Sequence, residues 1–193
     1  MERSRQDVLR GLAGSLRSAA RITGGIDKGA EHARSGKDAE ERGDLLAATN
    51  AYRLAISLND SPEMQANYTR VKNQLAVDLA DKYKKQAKYE EDHHKWGAAA
   101  LSWKKVSEGR PGSVEPLCRA ADAILRAGGD LKHARDLAQN AVHLMPTNPK
   151  CRVTLARVYI GAGMQKSALG ELQEAAKLDP SDQIVKTLLR DLA

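Results

Sequence analysis

The chain has 193 residues, enough for one ordinary domain or a short repeat array. Aromatic residues make up only 4% and Phe is absent. That argues against a β-sandwich or barrel, whose half-buried strands draw on aromatic and β-branched side chains. Alanine, leucine, lysine, arginine and glutamate are abundant, and these lose least on entering a helix, so the fold class read here is all-α. The formal net charge of +6 permits an acidic partner but does not establish nucleic-acid binding. Cys118 and Cys151 have neither CxxC nor Cys/His spacing, so they read as reduced packing residues on different helical units. Neither an apolar run of about 18 residues nor a secretory apolar segment occurs, which points to a cytoplasmic chain.

Residues 1–27 read as a basic amphipathic leader. Val8, Leu9, Leu12, Leu16, Ala19 and Ile22 form a helical stripe, Arg3, Arg5, Arg10, Arg17 and Arg21 surround it, and Gly24-Gly25 end it. Such a segment either covers the first repeat or lies on an anionic surface, and residues 1–25 are the one route to a membrane. Glu2 and Asp7 argue against an organelle transit peptide.

A first hairpin is expected over 28–62, with Gly36 at a close-packing point and Gly43-Asp44 at the turn. From Glu63 to Trp96 there is no Gly or Pro, while Met64, Tyr68, Val71, Leu75, Leu79 and Tyr83 step by three or four. This predicts one long helix, about Glu63–Asp92, within a segment 63–113 that also holds the second hairpin. Further hairpins follow over 114–148 and 149–180. In the first, Gly128-Gly129 separates Glu115–Arg126 from Leu131–Leu144. In the second, Gly163 separates Pro149–Ala162 from Lys166–Leu178. Residues 181–193 read as an amphipathic capping helix, with Ser181 as its N-cap.

One pattern recurs through these units: small residue, large residue four later, small residue three later, then proline. It reads Ala168, Leu172, Ala175, Pro180; Ala134, Ala138, Ala141, Pro146 with the large residue reduced to Ala; Ala99, Trp103, Val106, Pro111; and Ala48, Tyr52, Ala55 with the proline displaced to Pro62. Spacings of four and three share one helix face, so the small residues admit a neighbouring helix and the proline ends the unit. Trp103, at the large position, is therefore a core residue. With the 34-residue period and the Leu155-Ala156…Tyr159 element, the pattern resembles a tetratricopeptide-repeat (TPR) array over about 29–182. The resemblance implies an α-solenoid of about four helical hairpins that acts as a non-catalytic protein-interaction adaptor or scaffold. The repeats also resemble, faintly, the TPR regions of bacterial J-domain co-chaperones, although this chain has no His-Pro-Asp motif.

In such arrays the first helix of each pair lines the concave face, which holds an extended peptide or a helix. Placing this chain on that pattern brings Lys84, Lys88, Arg119, Arg126, Lys150 and Arg157 inward, diluted by Asp81 and Glu91. Converging cations focus positive potential, and guanidinium groups clamp carboxylates through paired hydrogen bonds, so the expected partner is a protein with an acidic segment. One TPR subclass grips the C-terminal carboxylate of chaperone tails with a fixed Lys/Asn set. Ala33 and Thr154 stand where that set needs a Lys and an Arg. Two other readings remain: an anionic-surface binder using the N-terminal arginines, and a dimeric spacer built on the long helix.

No pattern of an active site is present, and no cofactor or metal is implied. Glu90-Glu91-Asp92-His93-His94 is the densest group of potential ligands. Adjacent histidines on a helix point about 100° apart, so the string reads as a solvated helix end.

Overall fold

The computed structural model describes residues 28–192; the leader read over 1–27 lies outside the described residues. The described chain is helical, without strands. It comprises α1 (28–41), α2 (Leu45–Leu58), α3 (Pro62–Asp92), α4 (Trp96–Gly109), α5 (Val114–Arg126), α6 (Leu131–Leu144), α7 (Pro149–Gly161), α8 (Gln165–Leu178) and α9 (Gln183–Asp191). Helix α3 runs unbroken for 31 residues, as the lack of Gly and Pro predicts. The chain divides into two compact units that meet within this helix, one ending at Leu75 and the other starting at Ala76.

In the first unit α1 and α2 form a hairpin, and the opening part of α3 adds to it. Ala39, Ala48, Tyr52 and Val71 make its buried core, with Tyr68 and Leu45 against them. Gly36 is required here, because a Cβ on it would stand 3.0 Å from the Tyr52 ring. The same ring carries its hydroxyl to Glu40, donating to Oε2 at 3.2 Å, while Arg70 of α3 donates to that oxygen at 2.9 Å. The two residues thus join all three elements through one carboxylate.

In the second unit each helix packs on the next from α4 to α9, and α5 also packs on α7. This pairing of first helices is what makes a repeat array rather than a string of separate hairpins. Trp103 is fully buried, as its place in the pattern requires, and Ala99, Ala134, Ala138, Ala168 and Leu172 share the same core. Gly109, near the end of α4, is the closest approach. A Cβ there would lie 2.2 Å from the Ala76 carbonyl oxygen, so α3 and α4 meet backbone to backbone.

The turns within the hairpins share one mechanism. Gly43, Gly128 and Gly163 adopt positive φ, and amide hydrogen bonds run back to the preceding turn (Gly163 N to Ile160 O at 3.0 Å, Met164 N to Tyr159 O at 2.8 Å). This closes orphan carbonyls at the helix end. Between α3 and α4 the same bonds form, but the left-handed residue is His94 at φ 55°. Its Cβ makes that conformation cost about 1 kcal/mol or more.

The capping helix starts later than its sequence signal. Asp182, not Ser181, is the N-cap: its carboxylate accepts from Ile184 N at 2.7 Å and Val185 N at 3.3 Å. Ser181 is occupied by Asp179, to which its hydroxyl donates at 2.6 Å. Two acceptors compete within two residues, and the ionised one takes the helix amides.

Three outcomes follow. Gly109→Ala should cost about 3 kcal/mol, since neither backbone can yield without opening the α3/α4 packing, and denaturant titration will measure it. His94→Gly should raise stability by about 1 kcal/mol in the same titration, by relieving the left-handed strain. The hydrogen bonds from Arg70 hold the Glu40 carboxyl below its ordinary value of 4.5, against desolvation. Glu40 therefore stabilises the fold fully above pH 4.5, and that contribution fades as pH falls through the lowered value. The stability gap between wild type and Glu40→Gln, followed by thermal melts, should be largest near neutrality and close in acid.

Candidate functional site: a mixed-charge groove on the first helices

Helices α5 and α7 are the first helices of consecutive hairpins and lie side by side. Their facing residues enclose a concavity of about 540 Å³. Val114, Glu115, Cys118, Arg119, Asp122 and Arg126 line it from α5. Lys150, Cys151, Thr154 and Arg157 line it from α7, and Asn148 from the turn before. Asn148 is committed to capping α7, accepting from Lys150 N at 3.0 Å, and leaves Lys150 at the groove mouth.

Of the six cations expected on the inner face, Arg119, Arg126, Lys150 and Arg157 line this one concavity. Lys84 of α3 lies beside it, its Nζ donating to Glu115 Oε2 at 2.7 Å. Lys88 is exposed on α3 and adds to the positive field on Glu115. The hydrogen bond from Lys84 is the main reason the Glu115 carboxyl is held below its usual range, with Arg119 and Lys88 contributing at longer reach.

The groove is less positive than its cations alone would make it. Asp122 accepts from Arg126 Nε at 2.8 Å and pairs with Arg157 at 3.6 Å, so one carboxylate holds two guanidinium groups across the repeat boundary. Arg119 pairs with Glu91 at 3.3 Å. Three carboxylates thus stand among six cations. Each pair has one exposed and one half-buried partner, and ion pairs open to solvent on one side contribute on the order of 1 kcal/mol. An entering carboxylate can therefore replace them at small cost. Lys88 and Lys150 form no ion pair among the described residues.

The helix end formed by residues 90–94 is not a solvated string. Glu91 accepts from the Trp103 indole Nε1 at 2.8 Å through one oxygen and from Arg119 through the other. It therefore ties the buried Trp103 to a groove arginine. Glu90 is 8% exposed and accepts from Gln86 at 2.7 Å. His93 Nδ1 lies 2.7 Å from the Tyr89 carbonyl, and His94 forms the turn. Beside them Arg126 lies over the Trp96 ring at 4.6 Å, so this half-buried aromatic fixes a second groove arginine by a cation–π contact.

The two cysteines are not independent packing residues. Cys118 Sγ and Cys151 Sγ are 3.6 Å apart in the groove wall. Both are free thiols, Cys151 buried and Cys118 half-buried. The hydrogen bond donated by Cys118 lowers the Cys151 thiol below its ordinary value. They are 33 residues apart, about one repeat, and so occupy equivalent positions on adjacent first helices. The repeat period held that signal.

Stacked helical hairpins with a groove along their first helices define the class, an α-solenoid. The sequence adds to this: the tetratricopeptide-repeat family model matches residues 125–192, so that part of the chain is similar to TPR repeats in sequence as well as in fold. No curated protein matches the chain. Among solved structures, the TPR2AB domain of yeast Sti1, in its pHSP90 complex, is 16% identical with a TM-score of 0.56, covering 87% of this chain and 70% of that one. The Arabidopsis OM64 TPR domain is 15% identical with a TM-score of 0.56, covering 61% and 96%. The second TPR domain of human RPAP3, in complex with the HSP70 peptide SGPTIEEVD, is 14% identical with a TM-score of 0.56, covering 61% and 97%. At these identities the likeness concerns the fold.

Proposed function

We propose that the protein is a non-catalytic interaction adaptor whose α5/α7 groove holds an acidic segment of a partner protein. The observation that carries this reading is the convergence of Arg119, Arg126, Lys150 and Arg157 on one concavity, against two carboxylates in its lining. Trp96 and Glu91 hold two of these arginines from outside the groove, which lowers the entropy lost when they engage a ligand. That structural neighbours are described with HSP90 and HSP70 peptides supports a peptide as the occupant. Thr154 argues against a grip on a terminal carboxylate. It stands where that subclass needs an Arg, and its hydroxyl donates to the Lys150 carbonyl at 3.0 Å. The ligand's acidic side chains, rather than its chain end, are the recognised feature.

The test is fluorescence anisotropy with a labelled Asp/Glu-rich peptide, its C-terminus amidated, on the full chain. Binding should weaken as salt rises. It should fall by tenfold or more in the double variant Arg119→Glu, Arg157→Glu. Asp122→Asn should act in the opposite direction, because it releases two guanidinium groups without adding one; affinity should rise about threefold, within the range of exposed ion pairs. Unchanged binding in the double variant would remove the groove assignment.

A further inference from the structure

The Cys118–Cys151 pair lies in the groove wall, and the groove's function makes no use of it. Its two sulfurs are 3.6 Å apart, against about 2.05 Å in a disulfide. The remaining contraction is about 1.5 Å, which small rotations of two side chains can supply between helices already in contact. Both cysteines line the groove, but Cys118 is half-buried whereas Cys151 is buried. A reagent entering the groove thus meets one sulfur while the other waits in contact. The hydrogen bond Cys118 donates to Cys151, together with burial, holds the Cys118 thiol above its ordinary value, so its proton must leave before it attacks. The surrounding charge matters too. Arg119, Arg126, Lys150 and Arg157 outnumber Glu115 and Asp122 in the lining and draw in anionic reagents.

We propose that Cys118 and Cys151 form a dithiol–disulfide site that takes low-molecular-weight disulfides, Cys118 attacking and Cys151 resolving. The Cys118 thiolate attacks one sulfur of RS–SR; a Cys118–SR bond forms and RS⁻ leaves. The Cys151 thiolate then attacks the Cys118 sulfur, forming the Cys118–Cys151 bond and expelling the second RS⁻. The two cysteine protons leave with the two released thiols, and the small disulfide is the oxidant, reduced by two electrons. The cross-link would join α5 to α7 across a repeat boundary. This holds whatever the groove binds.

The experiment incubates the full native chain with oxidised glutathione, alkylates remaining thiols and weighs the intact protein. The expected product is a monomer two hydrogens lighter than the reduced chain, carrying neither glutathione nor alkyl groups. It should form at least tenfold faster than in the same chain unfolded in urea, since the fold supplies the proximity. Cys151→Ser should stop at a glutathione adduct on Cys118, and Cys118→Ser should leave the buried Cys151 free for alkylation; circular dichroism checks that both are folded. Two alkylatable thiols persisting in the native wild type would overturn the proposal. So would a stable adduct there, a bond between two chains, or a rate no faster than in the unfolded chain.

Discussion

Everything in this molecule depends on how closely helices approach one another through small side chains. Ala48, Ala99, Ala134 and Ala168 are fully buried, and at Gly109 even a methyl group has no room. An alanine contact buries little apolar area, so each contributes little hydrophobic free energy by itself. What it provides is proximity, which lets many weak dispersion contacts form along two backbones. Larger residues fill the space beside each contact: Tyr52 in the first unit, Trp103 and Leu172 in the second. The scarcity of aromatic residues follows, because the core is thin and needs only one large filler every repeat or so.

The same close stacking creates the groove. When hairpins stack at a fixed period, first helices become neighbours, and equivalent positions on them face one another. Arginine, lysine and cysteine side chains from α5 and α7 meet for that reason alone. Their charges are then balanced by carboxylates from α5 and from the end of α3. Asp122 spans the repeat boundary, and Glu91 links a buried indole to a surface guanidinium. Such a surface is kept positive but partly neutralised, so that the unbound groove does not carry the full repulsion of its cations.

Much of the architecture was legible in the sequence because it rests on local rules. A four–three spacing of small and large residues, glycine at three hairpin turns and a Gly- and Pro-free stretch each act within a few residues. They determined by themselves the helical class, the repeat, the unbroken α3 and the burial of Trp103. Tertiary structure alone decided which charges meet. Glu91 takes partners 12 and 28 residues away, and from its neighbours it reads only as one acid in a polar string. The capping helix shows a shorter-range ambiguity: Ser181 and Asp182 are both good caps, and the bond from Ser181 to Asp179 leaves the amides to Asp182. His94 occupies a glycine position, and only the backbone shows it. For the cysteines, the period implied equivalent positions, but only the packing of α5 on α7 brings their sulfurs to 3.6 Å. Periodicity is a property of a sequence, whereas distance between residues one repeat apart is set by how closely the repeats stack.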